Sequence, residues 1–404
     1  MYFLYNIGIH LYELAVKAAA IVNPKARKWV DGRKDYFKSL PEISAEKVIW
    51  FHCASLGEFD MALPVMNLLK DRHPDVFVLV SFFSPSGMEH YQKRKHKVDH
   101  AVYLPSDTIE NARRFILHFH PDKVFFVKYE FWSNYIFEAK KQNVQIFSIC
   151  SLFRNDHRFF KWYGGFFRET LKNIDFFYTQ NEVSSLLLGD IGITNFKTTG
   201  DTRFDRVIEN KEQLEPNIRI ESFLKGETAV IIGSSWPEDE EIIVRFILKN
   251  PDRKFIIAPH NVDDQHVKEL KGKLAGRAVL FTDDQTGGHV LILNTIGHLA
   301  SAYAYGNVAY VGGGFSGNLH NILEPAVFGL PVIFGPKFKR FPEAFQFIHL
   351  GIGYAVKDLE GFENAYSRIM AQSGELSTIT INFVEKNRGA SVKVLDHIEQ
   401  VFGM

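Results

Sequence analysis

The sequence contains only two cysteines among its 404 residues, Cys53 and Cys150, and both lie inside apolar runs. No disulfide framework is indicated, and a reducing compartment fits this pattern. The chain also carries no net charge, because 47 lysine and arginine residues balance 47 aspartate and glutamate residues. A neutral chain has no overall attraction for nucleic acid, so we expect no nucleic-acid partner and only local patches for anionic ligands.

Several motifs that bind phosphate or metal are missing as well. The sequence has no Gly-x-x-x-x-Gly-Lys-Ser/Thr loop, no cysteine–histidine spacing typical of zinc sites, no His-Glu-x-x-His and no Asp-x-Asp metal clamp. We therefore expect a site without metal or cofactor. In such a site, helix N-termini and basic side chains bind the phosphate charge.

A clean apolar run of the length that crosses a bilayer is also lacking. Residues 1–22 are mostly apolar, but four polar residues interrupt them at helical spacing: Asn6, His10, Glu13 and Lys17. On a helix these residues form one polar stripe, which favours a helix lying on a membrane over one packed only against its own domain. The basic residues between Lys25 and Lys38 suit anionic lipid on the cytoplasmic side. We predict a membrane-associating segment over residues 1–40; whether residues 1–22 span the bilayer or lie on it stays open.

From about residue 47 onward, short β-branched or aromatic runs alternate with longer segments of helical character. Runs of this kind, apolar on both faces and separated by crossovers, predict parallel sheets. The first series of predicted strands comprises residues 47–53, 75–83, 100–104, 122–128, 144–150 and 175–180. The second series comprises residues 227–234, 253–259, 278–282, 289–293, 307–313 and 331–335.

Two such series in a chain of 404 residues predict an α/β fold with two domains. We expect two Rossmann-like, doubly wound parallel-sheet domains that face a central cleft, covering residues 41–208 and 209–385. The C-terminal segment 386–404 is predicted to be a helix that crosses back to the first domain.

Polar residues follow the predicted strands of the first domain, where ligands bind in open α/β sheets. Glu58 comes after a Ser-x-Gly turn formed by Ser55 and Gly57. Its carboxylate could cap the next helix or act as a general base that activates a hydroxyl group. Glu130 lies among aromatic residues and could be a second acid, bind an acceptor or pair with a structural arginine or lysine.

The second domain shows the same arrangement. Ser234 and Ser235 could bind a ligand or cap the next helix, and His260 could donate to phosphate or be a satisfied buried histidine. The glycine run before Phe315 allows backbone to approach a ligand, with N–H groups free for phosphate oxygens. Glu324, predicted to lie one turn into a helix, could accept hydrogen bonds from ribose hydroxyls or make a capping contact.

These segments resemble the signatures of the 3-deoxy-D-manno-octulosonic acid (Kdo) transferases, in consistent order from about residue 1 to residue 390. The resemblance rests on residues 52–58, 81–87, 103–107, 200–205, 234–240, 320–326 and 334–336. Some positions depart from the family pattern. Lys128 replaces the first acid before Trp132, Ala258 and Pro259 leave out an arginine before His260, and Arg203 replaces a lysine. Asn318 and Leu319 replace a glycine pair.

The resemblance implies a GT-B glycosyltransferase that moves Kdo from CMP-Kdo to a lipid A precursor at the cytoplasmic face of the bacterial inner membrane. It implies inversion without metal, Glu58 as catalytic base, and Ser55, Gly57 and Glu130 at the acceptor. The implied donor-binding residues are Arg203, Ser234, Ser235, His260, Gly313, Gly314, Phe315, His320, Asn321 and Glu324. The alternatives are another GT-B enzyme that uses a UDP-sugar, and a non-catalytic two-domain binding protein.

Overall fold

Each strand predicted from the sequence lies in one of two seven-stranded parallel sheets of the computed structural model, which describes residues 1–283 and 287–404. The chain divides into two units, each with one sheet. Unit 1 comprises Met1–Arg206 and Arg388–Met404, and unit 2 comprises Val207–Asn387. The predicted α/β class with two Rossmann-like sheets is confirmed.

The strands and helices are numbered in chain order through both units. The strands are β1 Val48–Cys53, β2 Phe77–Phe82, β3 His100–Tyr103, β4 Lys123–Val127, β5 Gln145–Ser151, β6 Phe176–Thr179, β7 Phe196–Thr198, β8 Ala229–Ser235, β9 Lys254–Pro259, β10 Ala278–Leu280, β11 Val290–Ile292, β12 Gly306–Val311, β13 Val332–Phe334 and β14 Gly353–Ala355. The helices are α1 Tyr2–Ala19, α2 Pro24–Asp31, α3 Leu56–Arg72, α4 Pro85–His90, α5 Ile109–Phe119, α6 Ser133–Lys141, α7 Gly165–Lys172, α8 Glu182–Asp190, α9 Thr202–Glu212, α10 Ile218–Leu224, α11 Pro237–Lys249, α12 Asp264–Lys273, α13 Leu299–Tyr303, α14 Leu323–Ala326, α15 Pro342–His349, α16 Leu359–Ala371, α17 Ser373–Lys386 and α18 Ala390–Phe402.

The strand order places a switch point in each sheet. In unit 1 the order is β3-β2-β1-β4-β5-β6-β7, so β1 and β4 are neighbours although two strands separate them in sequence. In unit 2 the order is β10-β11-β9-β8-β12-β13-β14, and β8 and β12 are the corresponding pair. Ligands of open α/β sheets bind outside the carboxyl ends of strands at such points.

Both faces of the unit 1 sheet are covered, which explains why its strands are mostly apolar. All six residues of β1 are buried. One face packs against α5 and α6, and the other packs against α3 and α18. Helix α18 therefore completes the core of unit 1 although it comes last in the sequence.

Asp205 fixes the start of α18. Its carboxylate accepts hydrogen bonds from the backbone N–H groups of Gly389 (2.5 Å) and Ser391 (2.7 Å), and from the Ser391 hydroxyl. A carboxylate at a helix N-terminus satisfies unpaired N–H groups and interacts favourably with the helix dipole. The aspartate that ends the segment 200–205 is thus a structural anchor in this protein.

Replacing Asp205 with alanine is expected to lower the free energy of unfolding by about 3 kcal/mol, because two buried donors of Ser391 and the half-buried N–H of Gly389 lose a charged acceptor. Urea denaturation followed by circular dichroism measures this loss. Glu212→Ala, an exposed change at the end of the same helix α9, is the matched control and should stay within about 0.5 kcal/mol of the parent. Equal effects of the two variants would contradict the anchoring role.

Helix α1 lies on unit 1 through its polar side. Tyr2 Oη donates to Asn134 Oδ1 (2.7 Å), and Tyr5 Oη donates to Asp107 Oδ2 (2.5 Å). Burial raises the pKa of Asp107 to about 7. The opposite side of α1 exposes large apolar residues: Phe3, Leu4, Leu11 and Leu14. The helix thus turns polar groups toward the protein and apolar groups outward.

Among residues 1–283 and 287–404, no helix combines the length and the apolarity needed to cross a bilayer.

Candidate active site

The carboxyl end of β1 carries the glutamate predicted to be the base. Ser55 is the N-cap of α3 and Glu58 is its third residue. The Ser55 N–H donates to Glu58 Oε2 (3.0 Å), and the Ser55 hydroxyl donates to the same oxygen. Within the described residues, no hydrogen bond holds the other oxygen, Oε1, and the side chain is half-buried. The capping contact therefore exists, and it fixes the carboxylate while leaving one oxygen available.

Glu130 lies at the carboxyl end of β4, the strand next to β1. It follows Lys128, a non-glycine residue in the left-handed region with φ of 69°. Burial raises the pKa of Glu130, and the negative charge of Glu58 raises it further; Arg158 and Lys128 act in the opposite direction. The two carboxyl groups are therefore close enough to interact at the switch point of unit 1.

A chain of hydrogen bonds connects this edge of the sheet with side chains of β1 and β2. Trp132 Nε1 donates to His52 Nε2 (2.8 Å), and His52 Nδ1 lies 2.9 Å from the Ser81 hydroxyl oxygen. Because Nε2 accepts a hydrogen bond, the ring proton is on Nδ1 and points at Ser81. Burial lowers the pKa of His52 to about 3, so the ring is neutral.

His52 and Trp132 carried no assigned role in the sequence analysis. The signal for His52 was a polar ring inside an otherwise apolar strand. Its partner comes from the turn after β4, so the contact could be found only once the order of the strands was known. The hydrogen bond ties the turn that carries Glu130 to the strand that precedes Glu58.

Stability is expected to fall as the pH is lowered from about 6.5 toward 3. The unfolded state binds a proton at His52 in this window, whereas the folded state does not, so protonation favours unfolding. His52→Asn removes this ionisable group, and its unfolding midpoint in urea should depend less steeply on pH between 6.5 and 4. The surface variant His10→Asn is the control, and a parallel slope in His52→Asn would contradict the assignment.

The basic residues between Lys25 and Lys38 were expected to face lipid, but the Arg33 side chain binds within unit 1 instead. Its guanidinium donates to the carbonyl oxygens of Leu104 (2.8 Å) and Phe83 (2.7 Å). It also lies 4.0 Å from the ring of Trp29. Burial lowers its pKa to about 10. Arg33 thus fastens the segment after α2 to the loops that follow β2 and β3.

In unit 2 the predicted donor serines end β8. Ser234 has a left-handed backbone, with φ of 53°. The Ser235 hydroxyl is buried and donates to Glu240 Oε1 (3.1 Å). Ser235 therefore bonds within the protein, while Ser234 is half-buried at the strand end.

Three rings stack at the carboxyl ends of β8, β9 and β12. The Trp236 and His260 ring centroids are 4.1 Å apart, and those of His260 and His320 are 4.8 Å apart. Trp236 Nε1 donates to His320 Nε2 (3.1 Å). Burial, followed by the neighbouring His260, lowers the pKa of His320 to about 4, and burial also lowers the pKa of His260. Both histidines are therefore neutral at physiological pH and can offer phosphate only uncharged hydrogen bonds.

The glycine run 312–314 serves close backbone packing. A Cβ atom on Gly313, which has φ of 86°, would lie 2.2 Å from the Asn318 carbonyl oxygen. The Gly313 N–H donates to Asp239 Oδ2 (3.0 Å), so it is not free for phosphate as the sequence analysis expected. Asp239 also accepts from Tyr310 Oη (2.6 Å) and from the Trp236 N–H (2.9 Å). This buried acid, which the sequence analysis did not single out, links the glycine run to α11.

The remaining predicted donor residues divide between the units. Phe315, Asn321 and Glu324 are half-buried in unit 2. Asn321 Oδ1 accepts from the Leu323 N–H (3.1 Å), and its amide lies 3.4 Å from Glu324 Oε1. Arg203 belongs to unit 1 and pairs with Asp201, whose Oδ2 lies 2.7 Å from Nη2 and 2.9 Å from Nε. In the described part of the chain, no group of three histidine, cysteine or acidic side chains is placed to hold a metal ion.

Two Rossmann-like units with polar residues at the carboxyl ends of their strands have the architecture of the GT-B class. The solved structure of a UDP-N-acetylglucosamine 2-epimerase has a similar fold, with a TM-score of 0.63 over 89% of this chain and 97% of that chain. The two sequences are 14% identical, so this likeness shows the fold alone.

Sequence comparisons find similarity to one family of transferases. Residues 31–206 match the family model described as 3-deoxy-D-manno-octulosonic-acid transferase (kdotransferase). The 3-deoxy-D-manno-octulosonic acid transferase of Rickettsia bellii is 27% identical, over 88% of this chain and 87% of that protein. The enzyme of the same name from Aquifex aeolicus is 26% identical, over 80% and 86% respectively. The family model and these relatives confirm that the chain resembles the Kdo transferases, as its motifs indicated.

Proposed function

We propose that this protein transfers Kdo from CMP-Kdo to a lipid A precursor, with inversion at the anomeric carbon and without a metal ion. Similarity to Kdo transferases supports the choice of Kdo as the transferred sugar. The observation that carries the mechanism is the geometry of Glu58. One carboxylate oxygen is held by Ser55 and the other is available at the switch point of the unit 1 sheet.

In the proposed reaction Glu58 takes the proton of an acceptor hydroxyl. The hydroxyl oxygen forms a bond to the anomeric carbon of Kdo on the face opposite CMP. The bond between that carbon and the phosphate oxygen of CMP breaks, and its electrons leave with CMP. A fixed carboxylate suits this role because a general base must lie within hydrogen-bond reach of the proton it removes.

Glu130 is proposed to bind the acceptor beside Glu58. Its raised pKa keeps a proton on this carboxyl at a higher pH than an ordinary glutamate would. As a carboxyl group next to Glu58, it can make a hydrogen bond to an acceptor hydroxyl.

The proposed donor site lies at the carboxyl edge of the unit 2 sheet. The stacked rings of Trp236, His260 and His320 lie there with Ser234 at the end of β8, and Asn321 and Glu324 lie at the start of α14. The proposed roles are contact with phosphate for the histidines and with ribose hydroxyls for Glu324.

The proposed location is the cytoplasmic face of the bacterial inner membrane, with α1 at the lipid surface. The exposed Phe3, Leu4 and Leu11 on the outer side of α1 support this part of the proposal. An amphipathic helix with this orientation buries its apolar face among lipid headgroups and acyl chains.

The test is to incubate the purified protein with CMP-Kdo and a lipid A precursor and to measure product mass. The expected result is a mass increase by one or more Kdo units, unchanged by EDTA, with NMR reporting the inverted anomeric configuration. Isothermal titration should show binding of CMP and not of UDP. UDP binding together with no Kdo product would support the alternative of a UDP-sugar enzyme and contradict the proposal.

A further inference from the structure

Unit 1 displays a second apolar group apart from the exposed side of α1. Trp162 is 92% exposed and Tyr163 is 49% exposed. Both lie between the 3-10 turn Arg158–Phe160 and helix α7, and their rings meet edge to face at 5.6 Å. A large aromatic residue at such exposure is uncommon on a protein that contacts only water.

The backbone around these two residues is held firmly. Arg168 Nη1 donates to the carbonyl oxygens of Phe159 (3.1 Å) and Lys161 (2.9 Å). A Cβ atom on Gly164 would lie 2.2 Å from the Arg158 carbonyl oxygen, so this turn has room only for glycine at position 164. The exposure of Trp162 is therefore a consequence of a tight, braced turn.

This turn lies beside both α1 and the acceptor edge. Phe166, near the start of α7, packs against Tyr2 (5.9 Å between ring centroids) and Tyr5 (5.1 Å) of α1. His157 packs against Tyr129, the residue before Glu130, at 5.0 Å. The segment therefore joins the amphipathic helix to the turn that carries the acceptor-side carboxyl.

The charge of the segment suits anionic lipid. Residues 154–168 contain four basic residues and one acidic residue, Asp156. Tryptophan and tyrosine rings favour the headgroup region of a bilayer, where an apolar body and a polar edge are both satisfied. Membrane binding becomes stronger as more apolar area is buried and as more basic groups face anionic lipid, so an aromatic pair in a basic segment would add to the contribution of α1.

We propose that Trp162 and Tyr163 form a second membrane contact that enters the headgroup region of an anionic bilayer next to α1. This inference rests on the proposed function, in which the acceptor is a lipid, and it extends it by naming where that lipid reaches the protein. Two contacts fix the orientation of unit 1 on the membrane. The Tyr129–His157 contact then keeps the carboxyl edge close to the lipid from which the acceptor headgroup projects.

The first experiment locates Trp162 in the bilayer. The full chain is mixed with phosphatidylcholine vesicles that contain phosphatidylglycerol and brominated acyl chains, which quench nearby tryptophan fluorescence. The wild type should lose a component of its emission that Trp162→Phe lacks, because the other tryptophans are present in both proteins. Equal quenching in the wild type and in Trp162→Phe would overturn the proposal.

The second experiment measures the effect on binding and turnover. Trp162→Ser should weaken binding to anionic vesicles about tenfold or more, while Ile296→Ser, which removes an exposed apolar residue of unit 2, should not. Trp162→Ser should also slow transfer to an acceptor embedded in vesicles and leave transfer to a detergent-dispersed acceptor unchanged.

Three results would contradict the inference in distinguishable ways. Equal loss on both forms of the acceptor would mean that Trp162 is structural. A change of oligomeric state in ultracentrifugation with unchanged vesicle affinity would mean that a second copy of the chain covers Trp162. Failure of the wild type to bind anionic vesicles would overturn the membrane location together with this inference, whereas Kdo transfer in detergent would still stand.

Discussion

Replacing Glu58 with glutamine is expected to lower turnover of CMP-Kdo by roughly 10²–10⁴-fold, the usual contribution of a general base. The carboxamide oxygen of glutamine can still accept the hydrogen bond from the Ser55 N–H, so the start of α3 should stay folded. Affinity for CMP, measured by isothermal titration, should stay within about twofold of the parent because the proposed nucleotide site is in unit 2. Single-turnover kinetics with a lipid A precursor report the loss.

Two control variants separate the chemistry of Glu58 from its capping role. Ser55→Ala removes the hydroxyl contact and keeps the carboxylate, so it should cost about 1 kcal/mol of stability and far less activity than Glu58→Gln. Glu110→Gln, on the exposed face of α5, should leave both unchanged. If Ser55→Ala and Glu58→Gln lose activity equally while Glu58→Gln also unfolds α3, Glu58 is a structural cap and the proposed base must be another residue.

Replacing Asp239 with alanine is expected to abolish measurable CMP binding and to destabilise unit 2 by roughly 3 kcal/mol or more. The carboxylate is fully buried and accepts from Tyr310 Oη and from the N–H groups of Gly313 and Trp236. Removing it leaves two buried donors and one half-buried donor without an acceptor, and each unsatisfied group carries a desolvation cost. Thermal unfolding and CMP titration together measure the two losses.

The neighbouring residue provides the matched control for this variant. Glu238 lies in the same first turn of α11 but is exposed, so Glu238→Ala should change stability by less than about 0.5 kcal/mol. The loss of stability and of CMP binding in Asp239→Asn should be intermediate. The amide keeps one acceptor oxygen, but it places an N–H donor where the second carboxylate oxygen was. A stable Asp239→Ala protein that binds CMP normally would show that the glycine run does not depend on this acid.

The sequence predicted the two sheets because most of their strands are buried on both faces and are therefore mostly apolar. Strand β1 and its neighbours are runs rich in Val, Ile and Phe, and such runs predict buried strands. The two strands that were not predicted, β7 Phe196–Thr198 and β14 Gly353–Ala355, are three residues long and lie at sheet edges. Strand β7 buries none of its residues and β14 buries one, whereas the equally short edge strand β10, which was predicted, buries two.

The candidate site was predictable where a residue acts near its own position in sequence. The capping contact of Glu58 follows from a Ser-x-Gly-Glu spacing alone. The link between Trp132 and His52 could not be predicted in this way, since it joins residues from β1 and from the turn after β4. The glycine run illustrates the same limit, because the Gly313 N–H is occupied by Asp239, which lies far earlier in the sequence.

The return of α18 to unit 1 has a consequence for synthesis on the ribosome. One face of the unit 1 sheet gains the side chains of Val394, Leu395 and Ile398 only after all of Val207–Asn387 has been translated. Because synthesis proceeds at about 5–20 residues per second, this apolar face stays uncovered for on the order of ten seconds or more before α18 can pack on it. During this interval the nascent chain exposes a surface on which a chaperone can bind, and a protein cut short before residue 390 should accumulate as insoluble aggregate.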